Sequence, residues 1–130
     1  MKIAVTSKGF AKVTGHAGQA KQWLLFEIPD DGGEWQVSEV TLSKADTFHH
    51  FKDDSPHPLD GIEVLITTST GESFITRMKR RGVTVALTSE SDPFIAIKDY
   101  LAKQLKPPKP RPIMSMICKL RDRLSQHRDE

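Results

Sequence analysis

The feature that most limits the possible folds is residues 22–28 (QWLLFEI), where apolar side chains occupy both parities of an extended segment. Leu24, Phe26 and Ile28 fall on one face, Trp23 and Leu25 on the other. A strand apolar on both faces must be covered on both, which calls for a layered α/β arrangement. Residues 2–6 (KIAVT) repeat the signature as a nearly continuous apolar run, broken by Ser7, Lys8 and Gly9. Between the two runs lies a glycine-spaced loop, Gly15, His16, Ala17 and Gly18. The downstream sequence reads as scaffolding around that loop.

Residues 29–33 (PDDGG) are dense in turn chemistry. Residues 35–42 then return as an antiparallel partner, because so short a connection cannot carry a parallel crossover. Their alternation slips at Ser38 and Glu39, which predicts an edge strand with a bulge. Residues 43–51 (SKADTFHHF) open with a Ser-x-x-Asp pattern suited to a short capped helix, and Pro56 and Pro58 make 52–60 a loop. Residues 63–67 and 83–87 are two further apolar strands. The helix between them, 70–81, is expected to start with a Ser69–Glu72 capping box, to turn Phe74, Ile75 and Met78 inward and to end at Gly82. This is a right-handed βαβ unit with parallel strands. Asp92 and Pro93 start another helix, with Phe94, Ile97, Leu101 and Leu105 on one stripe. The sum is a five-stranded mixed sheet, antiparallel at its N-terminal strands and parallel in its C-terminal βαβ unit, with helices on its faces.

The domain so defined spans 1–105, a size that carries one hydrophobic core. Residues 106–112 (KPPKPRP) read as a stiff extended linker. Residues 113–130 resume helical spacing, with Ile113, Met116, Ile117, Leu120 and Leu124 in line. Net charge is only +2 but unevenly placed: residues 1–105 hold 12 Lys and Arg against 14 Asp and Glu, and 106–130 hold 7 against 3. This basic tail carries no aromatic residue for stacking on bases, so nucleic acid is not the expected partner. Docking on its own domain or on a second copy, as a homodimer, is the ordinary reading of such a helix. The one cysteine, Cys118, excludes a disulfide within the chain and any Cys-x-x-Cys metal knuckle. No run of 18 apolar residues is long enough to span a membrane, and the opening segment is too short in its apolar part for a signal peptide. A cytoplasmic, reducing compartment is the expectation.

The sequence lacks the Gly-x-Ser-x-Gly elbow, the P-loop, the dinucleotide glycine set and His-Glu-x-x-His. Nuclease chemistry of the ribonuclease-H type needs carboxylates clustered at strand ends, and the buried strands lack them. Four histidines remain as candidate metal ligands: His16, His49, His50 and His57. His16 in its glycine loop is either a ligand or a hydrogen-bonding turn residue. His49 and His50 are adjacent, which makes joint ligation of one ion awkward on a helix. Residues 67–73 (TTSTGES), with Ser69, Thr70 and Gly71, follow a parallel strand and open a helix, where free amides and hydroxyls favour either capping or an anion.

With these residues laid out, the chain resembles the dinitrogenase iron–molybdenum cofactor biosynthesis family, the NifX/NafY-type domain also found at the C-terminus of NifB. The resemblance rests on IAVTSKGFAKVTGHAGQAKQWLLFEI, on HPLDGIEVLITTSTGESFITRMKRRGVTVALT and on SDPFIAIKDYL. It implies a three-layer ribonuclease-H-like fold without nuclease activity. It also implies a non-catalytic carrier for iron–sulfur or iron–molybdenum cofactor precursors, acting with cofactor-assembly or nitrogenase proteins. The family's loop histidine maps onto His16, with Gly15 and Gly18 beside it. Ala17 stands where the family usually has phenylalanine, and the tail 106–130 lies outside the family core. The alternative function is a metal-free interaction or regulatory module that works through the basic helix.

Overall fold

The computed structural model describes residues 1–53 and 55–108. The linker residues 109–112 and the helix expected over 113–130, with the homodimer expectation attached to it, lie outside the described residues. In chain order the elements are β1 (Lys2–Lys8), β2 (Lys12–Val13), β3 (Gln22–Glu27), β4 (Gln36–Thr41), β5 (Val64–Thr67), α1 (Glu72–Arg80), β6 (Thr84–Leu87) and α2 (Pro93–Leu101). A 3₁₀ turn at Lys44–Asp46 is all that forms of the helix expected over 43–51, with Ser43 Oγ accepting from the Asp46 N–H at 3.3 Å.

β1 is the central strand. It pairs antiparallel with β3 and parallel with β5, and the sheet runs β4-β3-β1-β5-β6. The sheet has six strands where five were expected, because β2 pairs with the end of β1, Ser7 opposite Val13 and Lys8 opposite Lys12. β1 runs on through the expected break. Gly9 and Phe10, both left-handed at φ 62° and 58°, then fold the chain back on itself. A two-residue strand is too short to leave a periodic trace in a sequence. The bulge expected in β4 is absent: pairing with β3 is unbroken from Gln22–Thr41 to Glu27–Gln36. The irregular alternation reflects exposure, since Val40 alone in β4 is half-buried.

The double-faced strands are covered as their composition demands. Ile3, Val5, Leu24, Phe26, Val64 and Ile66 pack with Ala96 and Ile97 of α2 on one face. Ala4, Trp23 and Leu65 pack on the other with Met78 of α1 and with Leu42, Phe48, Leu59 and Ile62. α2 is capped by Asp92, whose Oδ1 accepts from the Phe94 and Ile95 amides at 2.9 and 3.2 Å. Its inward line is Pro93, Ala96 and Ile97. The expected stripe is displaced: Phe94 and Leu101 sit on the flank, 50% and 41% exposed, and Leu105 lies past the helix end. Small Ala96 beside Ile97 lets the helix axis approach the sheet along that line. α1 likewise starts at Glu72 with Gly71 as N-cap and no side-chain cap bond, so the expected capping box does not form. Ser69 is instead occupied with His16, whose N–H it receives at its carbonyl, 2.9 Å away. Among the described residues no helix is long and apolar enough to cross a membrane.

The long connection from β4 to β5 is clasped to α1 by Arg77. Its Nε and Nη2 donate to Asp53 at 3.1 and 3.0 Å, and Nη2 also reaches the Phe51 carbonyl at 2.7 Å. Nη1 donates to the Phe48 carbonyl. The hydrogen bond from Arg77 is the main influence holding the Asp53 carboxyl below its ordinary 3.8. A depressed folded-state value means the clasp stabilises the protein above the ordinary aspartate range and is lost as pH falls through the depressed value. Asp53→Asn is therefore expected to cost about 1 kcal/mol at neutral pH, a modest figure for a partly exposed pair. The difference from wild type should vanish once acid protonates the wild-type carboxyl. Urea unfolding of both proteins at neutral and strongly acidic pH checks this; an undiminished gap in acid refutes it.

Candidate functional site

The loop after β2 is pinned to the end of β5 through one carbonyl. The Thr14 oxygen receives the Thr6 hydroxyl at 2.5 Å, the Thr67 hydroxyl at 2.9 Å and the Thr68 N–H at 2.9 Å. Thr6 and Thr67 are fully buried at adjoining ends of β1 and β5, with their hydroxyl oxygens 3.0 Å apart. One step on, the His16 N–H donates to the Ser69 carbonyl. The two loops thus run zipped together at the carboxyl rim of the parallel strands, the rim where open α/β sheets place ligands.

Gly15 is what permits this approach. A Cβ there would collide with the Ser69 hydroxyl and stand 2.9 Å from Thr68 Oγ1. His16 follows in the left-handed region at φ 54°, with its side chain exposed. Gly18 returns the chain to the body of the domain, its carbonyl accepting from the His49 N–H at 2.6 Å.

Three loops therefore meet around an open cleft of about 580 Å³. His16, Gly18 and Gln19 form one wall, Phe48 and His49 a second, and Ser69, Thr70, Gly71, Ser73 and Phe74 the third. Arg77 also lines the cleft, with its guanidinium committed to Asp53 and the two carbonyls already named. Among the described residues the lining contains neither carboxylate nor thiol. The uncapped start of α1 adds the partial positive charge of its first amides, worth about 0.3–1 kcal/mol toward an anion. Glu72, though next to those amides in sequence, is exposed and outside the lining.

The structure treats the expected site residues differently. His16, Gly18, Ser69, Thr70 and Gly71 converge on the cleft, and His49 joins them. Gly15 shapes the cleft from behind, in a second depression with Lys8 and Lys21. The rings of His49 and His50 meet edge to face, 4.8 Å between centroids. His50 lines a neighbouring hollow with Lys21, Lys44 and Thr47, which His49 lines as well. His57 is a core residue. It is 5% exposed and stacks on Phe48, Nε2 lies 2.7 Å from the Asp46 carbonyl, and Nδ1 accepts from the Leu59 N–H at 3.0 Å. With both ring nitrogens bonded, His57 has none to give a metal. Among the described residues no group of three or more His, Cys, Asp or Glu is placed to hold a metal ion. Gln19, Phe48, Ser73, Phe74 and Arg77 were not expected in the site. Ser73 and Phe74 had a readable signal in their place on the first turn of α1; Phe48 and Arg77 reach the cleft only through tertiary contacts.

Gly15→Ala is expected to cost about 1–3 kcal/mol, because the added methyl must push Ser69 away. Gly18→Ala, whose Cβ would stand an ordinary 3.7 Å from the Phe74 ring, should be close to neutral. Denaturation midpoints of the pair, with amide exchange read at His16, decide it; equal stability of the two variants would show that the close approach is unimportant.

Among curated proteins none matches the chain. Among solved structures, the crystal structure of PH0822 superposes with a TM-score of 0.59 at 20% identity, over 82% of this chain and 94% of that one. The solution structure of a putative NifB protein from Thermotoga gives 0.55 at 19% identity, over 85% and 97%. The apo form of the orange protein from Desulfovibrio gigas gives 0.56 at 20%, over 85% and 94%. At these identities the likeness establishes the mixed α/β fold. The dinitrogenase iron-molybdenum cofactor family matches residues 1–103, and the chain belongs to that family.

Proposed function

We propose that the protein is a non-catalytic accessory of nitrogenase metallocluster biosynthesis, built on a ribonuclease-H-like framework. It holds an anionic iron–sulfur or iron–molybdenum cofactor precursor as cargo in the cleft between His16, His49 and the start of α1. The observation that carries this reading is the character of the lining: two exposed imidazoles, three hydroxyls, an uncapped helix start and no carboxylate. Cluster precursors are negatively charged, so amides, hydroxyls and imidazoles attract them while a carboxylate would repel them.

The donor set fits cargo better than a resident centre. Permanent iron–sulfur sites are held by several thiolates, and none lines this cleft. One or two imidazoles supported by hydrogen bonds give attachment that a receiving protein can outcompete. His16 is the candidate ligand, His49 faces it across the cleft, and Ser69, Thr70 and Gly71 supply hydrogen bonds to the anion. Family membership supports nitrogenase cofactor assembly as the setting and assembly or nitrogenase proteins as the donors and acceptors.

The test is anaerobic transfer of a preformed iron–sulfur cluster to the purified protein, followed by absorption and electron paramagnetic resonance spectra. His16→Ala should lower retention by about tenfold or more, the loss typical when a metal site is deprived of one contact. His49→Ala should lower it as well, whereas His50→Ala should leave it unchanged. Equal retention in wild type and His16→Ala removes His16 from the site, and no retention by wild type removes the carrier function itself.

A further inference from the structure

β1 and β3 part at one end of their pairing. Their ladder stops at Thr6 opposite Trp23. Beyond that point β1 takes β2 as its partner, Ser7 opposite Val13 and Lys8 opposite Lys12, while the other prong starts at Lys21 and Gln22, where β3 begins. A hollow of about 510 Å³ lies in this fork. Ser7 and Lys8 line it from one prong, Lys21 and Gln22 from the other, and Gly15 and His16 from the loop between them. Gln22 spans the prongs: its Oε1 accepts from the Gly9 N–H at 2.7 Å, which leaves its NH2 group to donate elsewhere.

We propose that this fork is a binding site for a small, doubly charged oxyanion of the phosphate class, adjoining the cleft through His16. Charge is the first support. Lys8 and Lys21 bring two ammonium groups to the hollow, and no carboxylate lines it. Neither lysine is in an ion pair among the described residues. Lys12 stands directly opposite Lys8, an arrangement of like charges that destabilises a strand pair unless something negative offsets it. The hollow on the far side of Lys21 adds Lys44 and again holds no carboxylate. A concave surface lined by one sign of charge concentrates the opposite ion.

Unpartnered donors are the second support. The amides of Gly15 and Lys21, both residues of the lining, have no acceptor among the described residues. Ser7 belongs to the lining as well, and among the described residues its hydroxyl is the one buried side-chain polar atom without a hydrogen-bond partner. A buried hydroxyl left unpaired by its own chain calls for an explanation, and an oxyanion seated in the fork supplies one. The third support is what the hollow lacks. It has no Phe, Tyr or Trp on which a base could stack, and Ala20 is its sole aliphatic residue. Ammonium groups acting as point charges, amides and hydroxyls suit a compact oxyanion and give a larger organic ligand little to hold. The site needs no cargo in the cleft, so its test stands apart from the test of the carrier function.

The test is an amide titration of the full-length isotope-labelled protein with sodium phosphate and, separately, sodium sulfate, at ionic strength held constant with sodium chloride. Both oxyanions should give saturating shifts centred on Lys8, Gly15, Gln19, Lys21 and Gln22. Lys8→Gln and Lys21→Gln, at exposed positions, should each weaken binding about tenfold, the loss of one charge-assisted hydrogen bond. Lys98→Gln, an exposed lysine of α2 outside the fork, should leave it unchanged. Adenosine monophosphate should bind no more tightly than inorganic phosphate. Shifts that never saturate, or that fall equally on Lys98, mean general ionic attraction and overturn the proposal. Shifts centred on Thr70 to Phe74 place the anion in the cleft and overturn it too, as does undiminished binding in both fork variants. Much tighter binding of the nucleotide would show that the fork is built for a larger ligand, which also refutes it.

Discussion

The structure depends on a single carbonyl. Thr14 O, met by two buried hydroxyls and an amide, fastens a loop that would otherwise hang off the end of β2. The two threonines that reach it are among the most deeply buried polar residues of the chain, so each hydroxyl must find a partner or incur a desolvation penalty of about 1–3 kcal/mol. That demand favours the connection, and with it the histidine loop is held against the start of α1. The cleft is consequently a by-product of strand order. β1 and β5 are parallel neighbours, their carboxyl ends coincide, and whatever follows each strand must share the same rim.

The layered architecture was legible because it rests on residue type. Trp23 through Ile28 could not be a one-sided strand, and Val64 through Thr67 could not be an edge. The β5–α1–β6 unit followed from periodicity, and Asp92 marked the start of α2. What escaped was set by contacts distant in sequence. β2 exists because Phe10 and Gly9 both adopt left-handed backbone, which Gly9 hinted at and Phe10 did not. The Ser69 capping box was sound as local chemistry, yet Ser69 found a partner 53 residues away in the N-terminal loop. The stripe of α2 was misplaced because Phe94 finds Phe26 sideways instead of beneath the helix.

The site was half readable. Glycines bracketing a histidine, and hydroxyls before a helix, announced two pieces of the cleft but not that they face each other across hydrogen bonds. The histidine-rich segment misled by proximity. His57, a candidate ligand in a proline-broken loop, instead stacks on Phe48 and meets Phe51 edge-on, with centroids 4.6 Å from each. His49 and His50, adjacent and chemically identical, share one hollow, and only His49 also lines the cleft. No pattern in a sequence reports that, because it is decided by where the loop lies on Gly18.

The left-handed backbone at His16 has a bearing on which side chains this position tolerates. Valine, isoleucine and threonine are strongly disfavoured at such a φ, while asparagine, aspartate and histidine are the non-glycine residues that adopt it most readily. Of these three, aspartate would set a negative charge at the mouth of the cleft and asparagine would offer only amide atoms. Imidazole alone combines a tolerated backbone with a neutral nitrogen donor. The geometry of one turn thus thins the choice of side chain at its tip, and the chemistry asked of the cleft narrows what is left to imidazole.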